Sequence, residues 1–198
     1  MENFFLNNGL SWTLSKLLPY FLMIILGIIL FIIIWRISNK TWLKYSSFLL
    51  LIIPFGIYFM KSPIYKGDFS NNFIEFKYNG LIDGLKQGDI SIISIPNCPF
   101  CCESIRLMER IDARINKDVK VNFIVCSDRE EDLDLYKEIA GENVTIQLAR
   151  NNSKELMNLV GNQFPAFVYF NKSENIRVWS NDAFGAPARD WFEKNIGS

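Results

Sequence analysis

Three cysteines lie within five positions of one another in the stretch "SIISIPNCPFCCES", residues 91–104. They are Cys98, Cys101 and Cys102, and a fourth, Cys126, follows later in the chain. Clustered thiols have three common uses in proteins: a redox-active disulfide, a metal site, or burial as small apolar side chains. The elements around the cluster have to distinguish these uses.

The flanking residues predict that Cys98 lies between a buried strand and a helix. The stretch "DISIISI" (89–95) is short, β-branched and nearly uncharged, as expected of a central strand buried on both faces. The residues after Cys98 predict a helix over 99–118, because apolar side chains recur there at helical spacing on one face. That face is formed by Cys101, Ile105, Met108, Ile111 and Ile115.

A cysteine in the first turn of a helix is expected to be nucleophilic. Unpaired N–H groups and the positive end of the helix dipole stabilise a thiolate there and lower the pKa of Cys98. Cys101 follows one turn later on the apolar face, close enough to form a disulfide with Cys98 but shielded from solvent. Pro99 suits an early helix position because its missing N–H would have no partner within the helix.

The remaining elements predict an α/β sheet covered by helices on both faces. "VKVNFIVC" (119–126) reads as a second buried strand, so strand, helix and strand form a parallel βαβ unit. "FIEFKY" (73–78) alternates as an edge or half-buried strand should, with Ile74, Phe76 and Tyr78 on its apolar face. Further elements are expected as a helix over 129–140, a short strand over 144–149, a helix over 153–161, a hairpin over 164–180 and a helix over 186–195.

Two apolar runs near the N-terminus predict a membrane hairpin over residues 1–61. The stretch 17–35 contains no charged residue and is long enough to span a bilayer. A second run reaches spanning length if it is taken as 42–60. A signal peptide is the alternative for the first run, but the first fifteen residues contain no Lys or Arg and no A-x-A cleavage site follows. A tether over 62–72 and an outer domain over 73–198 complete the expected organisation.

Basic residues predict the orientation of the hairpin. The connector "RISNKTWLK" carries Arg36, Lys40 and Lys44 and no acidic residue, so we expect it on the cytoplasmic side. Both termini would then lie outside, although Lys61 and Lys66 weaken the asymmetry. The expected location is the inner or plasma membrane, with the outer domain extracytoplasmic, where disulfides persist.

Composition excludes two classes of function. The chain contains no histidine, which removes Ser-His and Cys-His hydrolases. From residue 61 onward it carries 17 basic and 20 acidic side chains, a balance that argues against nucleic acid as a partner.

The strand, the Cys-Pro-Phe-Cys sequence and the amphipathic helix together resemble the active site of the thioredoxin superfamily. In that superfamily a cis-proline begins the strand before the final hairpin and faces the two cysteines, and Pro165 in "QFPAFVYF" matches it. The resemblance covers about residues 70–196. The segment 144–161 is similar to the strand and helix inserted in membrane-tethered, secreted thioredoxin-like proteins.

The resemblance implies a thiol–disulfide oxidoreductase. Cys98 would form a mixed disulfide with a substrate protein and Cys101 would resolve it, with no cofactor. The backbone of Phe164, before Pro165, would pair with a strand of the substrate. Two further residues, Pro99 and Phe100, would complete the substrate-binding surface.

Several positions depart from the superfamily pattern. Ile92 stands where thioredoxins usually carry a buried carboxylate, and Asn97 replaces the usual Trp before the first cysteine. Cys102 is expected to be a half-exposed bystander, the alternative being an accessory resolving thiol. Cys126, at the end of a buried strand, is expected to be a small core side chain.

Two other functions compete with redox exchange. Clustered thiols bind Cu(I) or zinc, but the paired Cys or Cys/His motifs of structural zinc sites are missing, so we expect no metal. A redox-inactive membrane-tethered interaction module is the second alternative. The favoured interpretation is a membrane-anchored oxidoreductase for protein thiols or disulfides. Because the apolar helices contain no cysteine, it would need a separate membrane redox partner.

Overall fold

The computed structural model describes residues 1–77, 84–115, 120–171 and 175–196, which form two compact units, 1–66 and 67–198. In chain order the helices are α1 (Glu2–Asn7), α2 (Trp12–Ile37), α3 (Thr41–Ser46), α4 (Ile53–Lys61), α5 (Pro99–Asp112), α6 (Asp134–Ile139), α7 (Ser153–Leu159) and α8 (Ala186–Ile196). The strands are β1 (Ile74–Lys77), β2 (Ile90–Ser94), β3 (Val121–Val125), β4 (Val144–Leu148), β5 (Ala166–Phe170) and β6 (Asn175–Ser180). The end of the expected strand at Tyr78 and the end of the expected helix at 116–118 lie outside the described residues.

The N-terminal unit contains two apolar helical stretches. The first is α2, which begins earlier than predicted because the Ser11 hydroxyl caps it by accepting the N–H of Leu14 at 3.3 Å. The second, over 41–61, consists of α3, a 3₁₀ segment over Ser47–Leu51 and α4. The two stretches pack closely at Gly27, where an added Cβ would lie 2.7 Å from the carbonyl oxygen of Leu50.

Both stretches are long and apolar enough to cross a membrane, judged by length and composition alone. A signal sequence near the N-terminus and the core helix of a soluble protein pass the same test. Most of the large apolar side chains of α2 are exposed rather than packed against other parts of the unit.

The C-terminal unit is built on a six-stranded sheet in the order β1-β6-β5-β2-β3-β4. The strands β2, β3 and β4 are parallel, whereas β5, β6 and β1 pair antiparallel with their neighbours. The predicted parallel βαβ unit and the predicted hairpin are therefore confirmed, although residues 172–174 of the turn lie outside the described residues. The central strands β2 and β3 are buried along their whole length, as their uncharged, β-branched sequences require.

Helices cover both faces of this sheet. On one face Ile93 and Ile124 join an apolar cluster that includes Leu156 of α7. Alternate residues point to the other face, where Phe123 contacts Tyr136 of α6 at a ring distance of 4.8 Å. On that same face Trp179 packs against Phe192 of α8, and Phe167 stacks on Phe184. The predicted α/β sheet with helices on both faces is confirmed.

Strand β1 lies at the edge of the sheet, one of the two predicted positions, but its apolar face is less covered than the alternation predicts. Alternation places Ile74 on the apolar face, yet 69% of its surface is exposed, while Phe76 packs against the core. Strand β1 is the outermost strand of the sheet, so its outer side lacks a neighbouring strand within the described residues. The alternation therefore identifies the strand but overestimates how much of it is covered.

The start of the C-terminal unit packs tightly against the turn before α8. The N–H of Gly185 donates to the carbonyl of Ser70 at 3.1 Å, and the N–H of Ala186 donates to the carbonyl of Asp68 at 2.8 Å. An added Cβ at Gly185 would lie 2.7 Å from the carbonyl oxygen of Asp68 and closer still to that of Gly67. Residues 67–70, which the sequence assigns to a tether, are thus part of the compact unit.

We expect the Gly185→Ala substitution to destabilise the C-terminal unit. The new methyl group would collide with backbone atoms, and overpacking of this kind costs about 1–3 kcal/mol. The measurement is thermal unfolding of the full chain in detergent, monitored by the near-ultraviolet circular dichroism of the aromatic residues in the core. Gly141→Ala is the matched control, because its methyl group would meet only the flexible carboxylate end of Glu109. Equal effects of the two substitutions would contradict this account.

Candidate functional site

The site begins where β2 ends and the chain turns into α5. Ile93 and Ser94 close the strand, and Asn97 adopts a left-handed conformation with φ of 54°, which asparagine tolerates better than most residues. Cys98 is extended, with φ of −89° and ψ of 110°, and is the N-cap residue of α5. The first turn of the helix therefore starts at the expected Pro99.

Cys98 and Cys101 form a disulfide, with their Cα atoms 5.2 Å apart. The backbone N–H of Cys101 points to the sulfur of Cys98 at a distance of 3.2 Å. The sulfur thus occupies the position that an N-cap side chain normally fills, and it shares the N–H of Cys101 with the carbonyl oxygen of Cys98, which accepts it at 3.1 Å. The same interaction would favour a negative charge on this sulfur when the disulfide is open.

The two cysteine residues differ in exposure, as the helical spacing predicts, although Cys98 is also largely covered. Cys98 is 8% exposed and Cys101 is fully buried at 0%. Beside them Pro99 is exposed, and Phe100 is 59% exposed even though it is a large apolar side chain. An approaching molecule would therefore meet Cys98 and the ring of Phe100 before Cys101.

Pro165 lies at the same end of the sheet as Cys98. Ala166, the first residue of β5, pairs with Ile93 near the end of β2, which places Pro165 beside the segment that leads to Cys98. The peptide bond between Phe164 and Pro165 is cis, as the resemblance implies. Pro165 is buried and Phe164 is half-buried.

Tyr136 of α6 is a residue of this site that the sequence analysis missed. Its hydroxyl accepts the backbone N–H of Cys98 at 3.2 Å and donates to the carbonyl oxygen of Ile95 at 2.6 Å. The hydroxyl of Ser94 lies 3.4 Å from it. In the sequence the tyrosine reads as one more apolar residue of the helix "REEDLDLYKEIA", and a partner 38 positions away leaves no local signal.

The other two cysteines, Cys102 and Cys126, are free thiols. Cys102 is a free, half-exposed thiol on α5, and its N–H donates to the carbonyl of Cys98 at 3.3 Å. Cys126 is a free, buried thiol in the apolar cluster that contains Ile93 and Ile124. Burial raises the pKa of Cys126 from its ordinary value of 9.0 to about 11, because the core does not solvate a thiolate.

Neither the cysteines nor the carboxylates assemble a metal centre in the part of the chain that the structure describes. No group of three or more His, Cys, Asp or Glu side chains there is placed to hold a metal ion. At the position of the superfamily's buried carboxylate, Ile92 is fully buried and apolar.

Comparisons with known proteins give one likeness. No protein-family model and no curated protein matches the chain. Among solved structures, a thioredoxin-like protein from Bacteroides caccae ATCC 43185 is similar, with a TM-score of 0.43 and 13% sequence identity. The match covers 86% of this chain and 75% of that chain.

We expect the two free thiols to differ strongly in alkylation. At pH 8 the pKa of about 11 leaves Cys126 about a hundredfold less thiolate than a thiol with the ordinary value of 9.0. The pKa of Cys126 is raised because burial favours the neutral thiol over the thiolate. The reactivity of Cys126 should therefore rise only as the pH approaches 11. Half-exposed Cys102 should react first when the oxidised protein is treated with iodoacetamide and mapped by mass.

Unfolding the protein in guanidinium chloride provides the control for this comparison. Both thiols should then react at similar rates, because burial no longer separates them. Equal rates in the folded protein would show that Cys126 is accessible and would contradict its place in the core.

Proposed function

We propose that this protein is a membrane-anchored thiol–disulfide oxidoreductase that exchanges the Cys98–Cys101 disulfide with extracytoplasmic protein substrates. The observation that carries the proposal is the N–H of Cys101 at 3.2 Å from the sulfur of Cys98. This contact stabilises the thiolate, which is both the attacking and the leaving form of a cysteine in disulfide exchange.

The exchange has two balanced steps. When the protein acts as oxidant, a substrate thiolate attacks the sulfur of Cys98, the Cys98–Cys101 bond breaks, and Cys101 leaves as a thiolate that takes up a proton. A second substrate thiolate then attacks the substrate sulfur of the mixed disulfide and releases Cys98 as a thiolate. The substrate has lost two electrons and the two protons of its thiols. The protein pair has gained both electrons and, at Cys101, one proton, while the other proton remains in solvent because Cys98 is released as a thiolate. Reduction of a substrate runs through the same mixed disulfide in reverse.

Residue placement supports distinct roles for the two cysteines. Cys98 is the more exposed of the two residues and would form the mixed disulfide, while fully buried Cys101 would resolve it. Exposed Phe100 and half-buried Phe164 would offer apolar contact to a substrate, with Pro99 and Pro165 completing the surface. The backbone of Phe164 would pair with a substrate strand, as the thioredoxin resemblance implies.

The membrane arrangement is part of the same proposal. The stretches 12–37 and 41–61 would span the membrane as a hairpin and keep the connector on the cytoplasmic side. Residues 1–66 contain no cysteine, so electrons would reach or leave Cys98–Cys101 through a separate membrane redox partner.

The function is tested by equilibrating the full chain with graded glutathione buffers, followed by alkylation and mass mapping. We expect a reversible Cys98–Cys101 disulfide with a reduction potential between about −270 and −120 mV, the range of related folds. Cys98→Ser should lower the rate of exchange with a model disulfide by about a hundredfold or more, because the nucleophile is lost. Cys101→Ser should instead accumulate the mixed disulfide on Cys98.

Cys102→Ser is the matched control, since it removes the neighbouring thiol without touching the disulfide. Its potential and rate should equal those of the wild type. Cys98 and Cys101 remaining unpaired in every buffer would refute the redox function.

The orientation is tested with a membrane-impermeant maleimide on intact cells. Asn39→Cys, in a Cys102→Ser background, places an exposed thiol in the connector and should be labelled only after the membrane is permeabilised. In the otherwise wild-type chain half-exposed Cys102 should be labelled in intact cells, which serves as the control for reagent access. Labelling of the introduced connector thiol in intact cells would reverse the proposed topology.

A further inference from the structure

The hydroxyl of Tyr136 connects α6 to the segment that carries Cys98. It accepts the N–H of Cys98 at 3.2 Å and donates to the carbonyl of Ile95 at 2.6 Å. These two backbone groups flank Asn97, whose φ of 54° is unfavourable for most residues but tolerated by glycine and asparagine. The tyrosine therefore holds both ends of the one left-handed turn in the segment between β2 and α5.

The tyrosine is itself held rigidly. Its side chain is fully buried, and its ring packs against that of Phe123 at 4.8 Å. Phe123 lies on β3, which pairs with β2 in parallel so that Phe123 is beside Ile92. The sheet thus fixes the ring of Phe123, which packs against the ring of Tyr136 and holds its hydroxyl next to the turn at Asn97.

We propose that Tyr136 is a positioning residue for the redox pair, an inference that rests on the proposed oxidoreductase function. By holding the amide of Cys98 and the carbonyl of Ile95, its hydroxyl keeps the sulfur of Cys98 where it closes on Cys101. Fixing one reacting group next to another raises their effective concentration, which favours the intramolecular disulfide over the open dithiol.

The equilibrium with glutathione measures this effect directly. One protein disulfide and two glutathione thiols exchange for one protein dithiol and one glutathione disulfide, with two electrons transferred. A hydroxyl that stabilised the fold in the oxidised and reduced forms equally would leave this equilibrium constant unchanged. A hydroxyl that positions Cys98 for closure must alter it.

The test compares Tyr136→Phe with the wild-type full chain in detergent, in graded glutathione buffers. Loss of the hydrogen bonds should disfavour the disulfide by about threefold to tenfold, the range expected for one to two net hydrogen bonds. That change makes the potential of the two-electron couple less negative by about 14 to 30 mV. A constant equal to that of the wild type, or one shifted toward the disulfide, overturns the proposal.

A control variant separates positioning from general stability. Tyr169→Phe is the same change at the far end of the sheet, where Tyr169 pairs with Ile90, and should leave the equilibrium unchanged. A shift in Tyr169→Phe as large as that in Tyr136→Phe overturns the proposal.

A second variant decides the matter if Tyr136→Phe does not fold. The hydroxyl of Ser94 lies 3.4 Å from that of Tyr136 and 3.2 Å from the carbonyl oxygen of Ile95, so Ser94→Ala should shift the equilibrium in the same direction by about twofold. No shift overturns the proposal. A wild-type chain that never forms a reversible disulfide refutes the oxidoreductase function itself. A reversible disulfide whose equilibrium is unchanged by the Tyr136 substitution refutes only the positioning role.

Discussion

The backbone N–H groups at the amino end of α5 point toward Cys98, and the sulfur of Cys98 shares the N–H of Cys101 with the carbonyl oxygen of Cys98. This contact requires the helix to start directly after Cys98 and the strand before it to end at a fixed place. Parallel pairing of β2 with β3 and antiparallel pairing with β5 fix that strand on both sides. The chemistry of the cysteine pair thus depends on β3 and β5, which fix the position at which β2 ends.

Burial on both faces of the sheet keeps this geometry rigid. One face is sealed by aliphatic side chains and α7, the other by aromatic rings that include Phe167, Trp179 and Phe192. The N-terminal segment of the unit adds to this by packing on the turn at Gly185, where only a residue without a side chain fits. A site at the end of such a sheet keeps its reacting groups in place because the surrounding backbone stays fixed.

Local patterns in the sequence were sufficient to predict the sheet and the cysteine pair. Uncharged β-branched runs located β2 and β3, and helical spacing located the buried face of α5, including Cys101. Contacts between distant residues were not predictable in the same way. The hydrogen bonds of Tyr136 join residues about forty positions apart, and the exposure of Ile74 depends on which distant residues cover the edge strand, which the alternation does not encode.

The buried thiol of Cys126 makes the order of folding and oxidation important for this chain. Four cysteines allow three ways of forming two disulfides, and an unfolded chain in an oxidising compartment has access to all of them. Once the apolar cluster around Ile93 and Ile124 has formed, Cys126 is removed from that competition, because a protonated and covered thiol does not attack a disulfide. The core therefore protects the chain from mispairing only if it assembles before the oxidant arrives.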